Sequence, residues 1–587
     1  MGFFSGLGAE KYDRQYSDRQ LVQRIFNNLA PYKGKIAVLG GLVLFISGLG
    51  ASMPVVVSKG VDLLKQDNSF TTVVILSGLV ALLGCLGWLA NWARRSLTVR
   101  TVSDVSVTLA SQAFKAAAEH DLSFYDEFSS GKVVSRITSD SRDFGQLVVI
   151  TIDLISQVAE ALILGVVLVR IDWQLSLYIF ALIPVVFALA IGYRSLARRV
   201  TRKGMQAMAQ VNSTIKETIS GIAVAKNFRQ ETSIFQEFEG ANQASYKVNI
   251  QRGLVLSIVF PTLNSLGGMA TAMMVYFGAL SVTSGMVTAG AWYLFLLSLD
   301  RFLFPIMNLA SFWTQVQNGL SAAERVFALI DAEPAVVQTA QNPVPDLLGR
   351  IDFEHVSFRY KNNEPVLCDF SLHIQPGETI ALVGHTGAGK SSIGRLVARF
   401  YEFQEGKLLI DGKDIRSFDL VDFRKKLGIV SQVPFLFSGT VLENIRYATP
   451  EASEEEILEM SKQIGGGDWL ETLPNGLSCE VGERGARLSM GQRQLVSLMR
   501  VLVQKPAIFI LDEATASVDP FTEWQIQQAL NLILSKTTSI MIAHRLSTVK
   551  AANRIIVMDQ GQIIEEGNHT QLLQQNGHYA ALYNTYF

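Results

Sequence analysis

The chain has 587 residues, 49% of them hydrophobic and 18% charged, and a mean hydropathy of +0.26, which is more apolar than an ordinary soluble protein and points to a membrane. Its 51 Lys and Arg nearly cancel its 52 Asp and Glu, so no global basic surface argues for nucleic acid. Cys85, Cys368 and Cys479 lie far apart with neither disulfide nor metal-ligand spacing and read as small buried apolar residues.

Residues 1–35 are mostly polar and end in a basic stretch, which does not read as a cleavable signal; this cytoplasmic segment is expected to contain an amphipathic entry helix between Tyr16 and Leu29. Six long apolar runs follow, Ile36 to Val57, Phe70 to Trp92, Leu147 to Val169, Trp173 to Tyr193, Leu254 to Leu280 and Ala289 to Trp313. Each is near or above the roughly 20 residues a helix needs to cross a bilayer, so residues 36–330 read as a six-helix transmembrane domain. Arg94, Arg95 and Arg100 after the second run, and Arg194, Arg198 and Arg199 after the fourth, place those connections in the cytoplasm with the N-terminus. Arg100 to His120 and Arg194 to Ser220 have few helix breakers, so the membrane helices are expected to continue into the cytoplasm, with turns near Phe124, Tyr125 and Gly221. Asp153 and Glu160 share one face of the third span, and Asp300 and Arg301 interrupt the sixth. Ionised groups there cost about 2.5 to 3.5 kcal/mol, so Arg301 is expected to pair with Glu160 or Asp153, either to pack helices or to line a wet path.

Pro334, Pro343 and Pro345 mark residues 331–350 as a linker, and residues 351–587 alternate strand-like and helical segments, as in an α/β domain on a largely parallel sheet. Within it, Gly384-His385-Thr386-Gly387-Ala388-Gly389-Lys390-Ser391 has phosphate-loop spacing between a buried strand, Thr379 to Val383, and a helix. Gly384, Thr386, Gly387, Ala388, Gly389, Lys390, Ser391 and Ser392 are the candidate residues for the phosphates, Lys390 as a point charge and Ser391 as a Mg²⁺ ligand. His385 fills a free position and receives no role. The apolar strand Ala507 to Leu511 ends in Asp512 and Glu513, at the edge where open α/β sheets bind ligands. Asp512 suits the Mg²⁺ shell and Glu513 the orientation or deprotonation of water.

Taken in order, these motifs resemble those of ATP-binding cassette exporters of the multidrug and lipid-flippase type, each chain a half-transporter, over essentially the whole sequence. Leu488-Ser489-Met490-Gly491-Gln492 is similar to the family's signature, with Met where the pattern has Gly. Gln432 resembles the glutamine-loop residue, a further candidate for metal and water; Asp519 in Ser517-Val518-Asp519 resembles the D-loop, and His544 the switch histidine. Tyr360 resembles the aromatic that stacks on adenine, and Gly482-Glu483-Arg484-Gly485 the loop that touches the membrane helices in exporters. The resemblance implies Glu513, His544 and Gln432 as catalytic residues, ATP with Mg²⁺ as cofactors, and Ser489, Met490, Gly491, Gln492 and Asp519 as nucleotide contacts from a facing cassette. It therefore implies a dimer, identical or mixed, in the inner (plasma) membrane, with the lipid bilayer and a small amphipathic substrate as its other partners. Export of a drug or lipid is the leading expectation; uptake of a metal–siderophore complex and an ATP-gated channel are alternatives.

Overall fold

In this computed structural model the described residues are 16–66, 69–360, 365–512, 518–543 and 546–586, without the side chains of 18, 127, 190, 194, 260, 263, 306–311, 313, 314, 546, 547 and 586. The chain divides into two compact units, residues 1–118 with 130–332, and residues 119–129 with 333–587.

The first unit is helical. Helix α1 (Asp18–Leu29) opens with a capping box in which Ser17 and Gln20 satisfy each other's backbone donors. The six apolar runs lie in α2 (Lys33–Gln66), α3 (Phe70–Glu119), α6 (Ser141–Ile171), α7 (Trp173–Ser220), α10 (Val259–Thr283) and α11 (Ala289–Ile330). Five helical stretches are long and apolar enough to cross a membrane among the described residues. The sixth run falls in α11, where several side chains are outside the description. At 1.5 Å per residue, the 50 residues of α3 span about 75 Å, far more than a hydrocarbon core of about 30 Å, so α3 extends beyond the bilayer as expected. The fifth run does not form one helix. It is split between α9 (Glu231–Ser257) and α10, because Pro261 has no N–H to bond the carbonyl of Ser257 and the ladder breaks there.

The turns between the long helices carry short ones, α4 (Leu122–Glu127) and α5 (Ser130–Ser135) at the first, and α8 (Ile222–Asn227) at the second. Leu164, Leu168, Leu175, Ile179, Leu294, Phe295 and Phe302 form the apolar core shared by α6, α7 and α11. Cys85, expected to be buried, is exposed on α3, where the surrounding apolar residues face outward as they do on a lipid-facing span; Cys479 is buried.

The second unit holds two sheets. A four-stranded antiparallel sheet has the order β2 (Leu367–Ile374), β1 (Ile351–Phe358), β4 (Glu405–Ile410), β5 (Lys413–Asp414). The larger sheet runs β10 (Gln562–Gly567), β9 (Arg554–Asp559), β3 (Thr379–Val383), β8 (Thr538–Ile542), β7 (Ile508–Asp512), β6 (Leu427–Val430), and all its pairs but β10 with β9 are parallel. Period-two alternation sends the side chains of β7 into two cores: Ile508 and Ile510 join one with Ile393 and Leu396, while Phe509 and Leu511 join another with Leu495 and Leu498. Residues 331–350 contain no helix, and Val337, Asn342, Asp346 and Leu348 fasten this stretch to the second unit through Glu402, Ser417, Lys426 and Asp411.

Candidate nucleotide-binding site

Parallel neighbours β3, β8, β7 and β6 deliver the ends of four strands to one edge of the sheet. From β3 the chain enters the loop Gly384 to Gly389. At Gly384 φ is +152° and a Cβ would lie 2.1 Å from the carbonyl oxygen of Met558, so only glycine fits. Gly387 has φ +90° with nothing within 4 Å of its Cβ position, which leaves the loop open on that side for a phosphate. Thr386 and Gly387 are exposed, Ala388 and Ser392 buried, and Ser391 half-buried in the first turn of the helix Lys390–Val397. The first N–H groups of that helix have no intrahelical acceptor and form an anion-binding end.

Lys390 is buried, and its Nζ donates to the carbonyls of Gly384 at 2.7 Å and His385 at 2.8 Å. Burial holds its pKa below the usual lysine range, with the charge of Asp512 acting in the opposite sense. Asp512 therefore lies within electrostatic reach of Lys390, as the sequence reading requires. Gln432 is exposed two residues past β6, at the same edge. Glu513, next to Asp512, and Ser517, together with His544, two residues past β8, lie outside the described residues. Among the described residues no cluster of three His, Cys, Asp or Glu side chains forms a metal cage. Ser391, Asp512 and Gln432 are hard oxygen donors with a single carboxylate among them, a set that fits Mg²⁺ completed by phosphate oxygens and water.

Tyr360 stands beside the loop helix. Its Oη is 2.8 Å from Ser392 Oγ and accepts from Arg395 Nη1 at 3.1 Å, and its ring meets Tyr401 edge-to-face at 4.9 Å. Sequence reasoning missed what Tyr401 then does: its hydroxyl donates to Asp126 Oδ2 at 2.6 Å, in the turn segment 119–129. Asp121 of that segment accepts from the backbone N–H groups of Ala335 at 2.6 Å and Val336 at 3.0 Å. Burial would raise the Asp121 carboxyl, but the hydrogen bonds from Ser123, Val336, Ala335 and Phe124 outweigh it and hold its pKa below the usual range. No local signal reveals these pairs, since the partners are remote in sequence.

The signature residues sit on another part of the unit. Ser489 caps the helix Met490–Gln504 in a reciprocal box with Gln492. Met490 is turned so that its sulfur accepts from Arg493 at 3.9 Å. Gly491 is required by packing, because a Cβ there would lie 2.4 Å from Thr522 Cγ2 in the helix Pro520–Leu534. Asp519 caps that helix by accepting from the N–H of Thr522 at 2.9 Å, and this bond, with one from the Thr522 side chain, lowers its pKa. The loop helix packs into one core of the sheet and the signature helix into the other, so the structure brings Lys390, Asp512 and Tyr360 together but keeps the signature apart from them.

Inside the spans Arg301 pairs with Glu160, while Asp153 pairs instead with Arg94 of α3, two residues past the second apolar run, at 2.5 Å. Gly50 of α2 packs against this carboxylate, and a Cβ there would lie 2.6 Å from Glu160 Oε1.

A phosphate loop at the edge of a parallel sheet, joined to a bundle of bilayer-spanning helices, defines a membrane transport ATPase. The family profile for the ABC transporter transmembrane region matches residues 37–306 and that for the ABC transporter matches residues 367–516. The chain is 34% identical over 587 residues to an ATP-dependent lipid A-core flippase of Methylobacillus flagellatus, covering 97% of each sequence. It is 33% identical to a fatty acid ABC transporter ATP-binding/permease protein of Mycobacterium bovis, over 90% of this chain and 83% of that one. Its fold matches the structure of a bacterial Atm1-family ABC exporter with ATP bound, with a TM-score of 0.77, 26% identity, and coverage of 94% and 98% of the two chains. The chain belongs to the ABC transporter family, as an exporter-type half-transporter with its membrane and ATPase regions fused. It is a multi-pass membrane protein that couples ATP hydrolysis, in a cytoplasmic domain, to transport.

Proposed function

We propose that the chain exports or flips an amphipathic substrate, of the drug or lipid class, as a homodimer in the plasma membrane. The observation that carries the dimer is the sheet itself: with the phosphate loop and the signature on opposite cores of one unit, a single chain cannot close both on one nucleotide. A twofold pair supplies each site with the other chain's signature. In that site the loop N–H groups and Lys390 bind the phosphates, Tyr360 offers a face to adenine, and Glu513, with Gln432 and His544, holds the attacking water. Mg²⁺ held by Ser391, Asp512 and Gln432 would neutralise phosphate charge. ATP binds the closed pair better and shifts the population toward it, and hydrolysis releases that shift. Segment 119–129, bonded to Tyr401 and continuous with α3 and α5, carries the change to the spans.

The lipid and fatty acid relatives support an amphipathic substrate. Transport in both vesicle orientations tests the direction: ATP-dependent accumulation in inside-out vesicles is expected, whereas uptake in right-side-out vesicles would make the protein an importer and single-channel current an ATP-gated channel. Met490 in place of the signature glycine is compatible with a mixed partner as well, while its side chain, turned toward Arg493, suits an identical pair. Purified alone, the chain should run as a dimer with ATPase activity; an inactive monomer rescued only by a different half-transporter would overturn the homodimer.

A further inference from the structure

The face of α6 that carries Val158, Leu162, Val166 and Val169 does not pack into the apolar core, and all four side chains are exposed. These residues recur at helical spacing and form one stripe. Between this stripe, Phe180 of α7 and Phe302 of α11 lies a groove with a cavity of about 590 Å³. Every residue that lines it is apolar except Arg170, in the last turn of α6. The guanidinium of Arg170 has no carboxylate partner among the described residues. Because α6 leads away from the cytoplasmic turn, Arg170 stands at its extracytoplasmic end.

Length and charge select the occupant. From Val158 to Arg170 the helix rises about 18 Å, close to the roughly 15 Å that one leaflet contributes to the hydrocarbon core. One extended hydrocarbon chain has the right proportions, and the single cation at the outer end calls for an anion there. We propose that this groove holds one acyl chain of an anionic phospholipid of the outer leaflet, with the headgroup phosphate on Arg170. The site is independent of the compound that is transported.

Gly165 forms the floor. A Cβ at this position would make only ordinary contacts, 3.6 Å from Phe180 Cζ and 3.7 Å from Phe302 Cε1, so alanine fits and a longer side chain projects into the chain's path. The full-length protein is purified from micelles doped with equal phosphatidylglycerol and phosphatidylcholine, and the lipid retained is read by native mass spectrometry without nucleotide. Wild type and Gly165→Ala should retain phosphatidylglycerol several-fold over phosphatidylcholine. Arg170→Gln should lose that preference, and Gly165→Leu should retain several-fold less of both lipids. Melting temperature and dispersity of each variant report its folding, and Arg170→Gln decides the matter if the leucine variant does not fold. Equal retention of the two lipids by wild type, or wild-type retention in Arg170→Gln, overturns the proposal. So does a wild type without lipid whose dimer is lost in Gly165→Leu, since a second copy would then cover the groove. Because nucleotide is absent, each of these failures leaves the export reading standing.

Discussion

Lys390 holds two loop carbonyls through Nζ, so its charge is already fixed at the point where the β- and γ-phosphates would arrive. Lys390→Ala should therefore raise the ATP concentration needed for binding, whereas Glu513→Gln should keep binding and lose turnover, because an amide can occupy the position without acting as a base. Nucleotide titration beside a phosphate-release assay checks both, and near-normal turnover of the glutamine variant would remove Glu513 from the catalytic set. Gly491 makes a different demand. With Thr522 Cγ2 only 2.4 Å from its Cβ position, Gly491→Ala should destabilise the ATPase unit by about 1 to 3 kcal/mol through overpacking, and Thr522→Ser in the same chain should recover most of the loss in a melting experiment. The phosphate loop and the acidic strand end were legible in sequence because their spacing is itself the chemistry. The packing duty of Gly491 and the capping duty of Asp519 were legible only in part: a helix start is visible in Asp519-Pro520, but the helix that Gly491 touches is not.

At the scale of elements, two of the groups that fasten the turn segment 119–129 can be removed separately. Tyr401→Phe deletes the hydrogen bond to Asp126 but keeps the ring against Tyr360, so ATP binding should be unchanged while stimulation of the ATPase by substrate weakens. Full stimulation in that variant would argue against this contact as a coupling element. Asp121 adds a pH dependence. Its depressed pKa means that its contribution is complete above the ordinary carboxylate value near 4 and is lost as pH falls through the lower folded value, so amide exchange in 119–129 should accelerate only in acid. In the membrane, Arg301→Gln would leave Glu160 charged without its partner at a cost of about 2.5 to 3.5 kcal/mol, and the double variant Arg301→Gln with Glu160→Gln should restore much of the lost thermal stability. The six apolar runs announce the helices, and breaker-poor stretches announce their extensions. Pairings such as Arg94 with Asp153 could not be read, because helical periodicity gives a face but not the neighbour that the face meets.

At the scale of the whole molecule, the two units are not two consecutive lengths of chain. Eleven residues, 119–129, run from the last residue of α3 to the start of α5 yet belong with 333–587 in space. Cutting before residue 333 therefore does not release a finished domain: it strips the N–H groups of Ala335 and Val336 and the hydroxyl of Tyr401 of their carboxylates. The excised ATPase piece should then behave as a receptor for its missing fragment. A synthetic peptide of residues 119–129 should raise its melting temperature in a concentration-dependent way, as any ligand selective for the folded state does, and a peptide with Asp121 and Asp126 changed to Asn should do so far less.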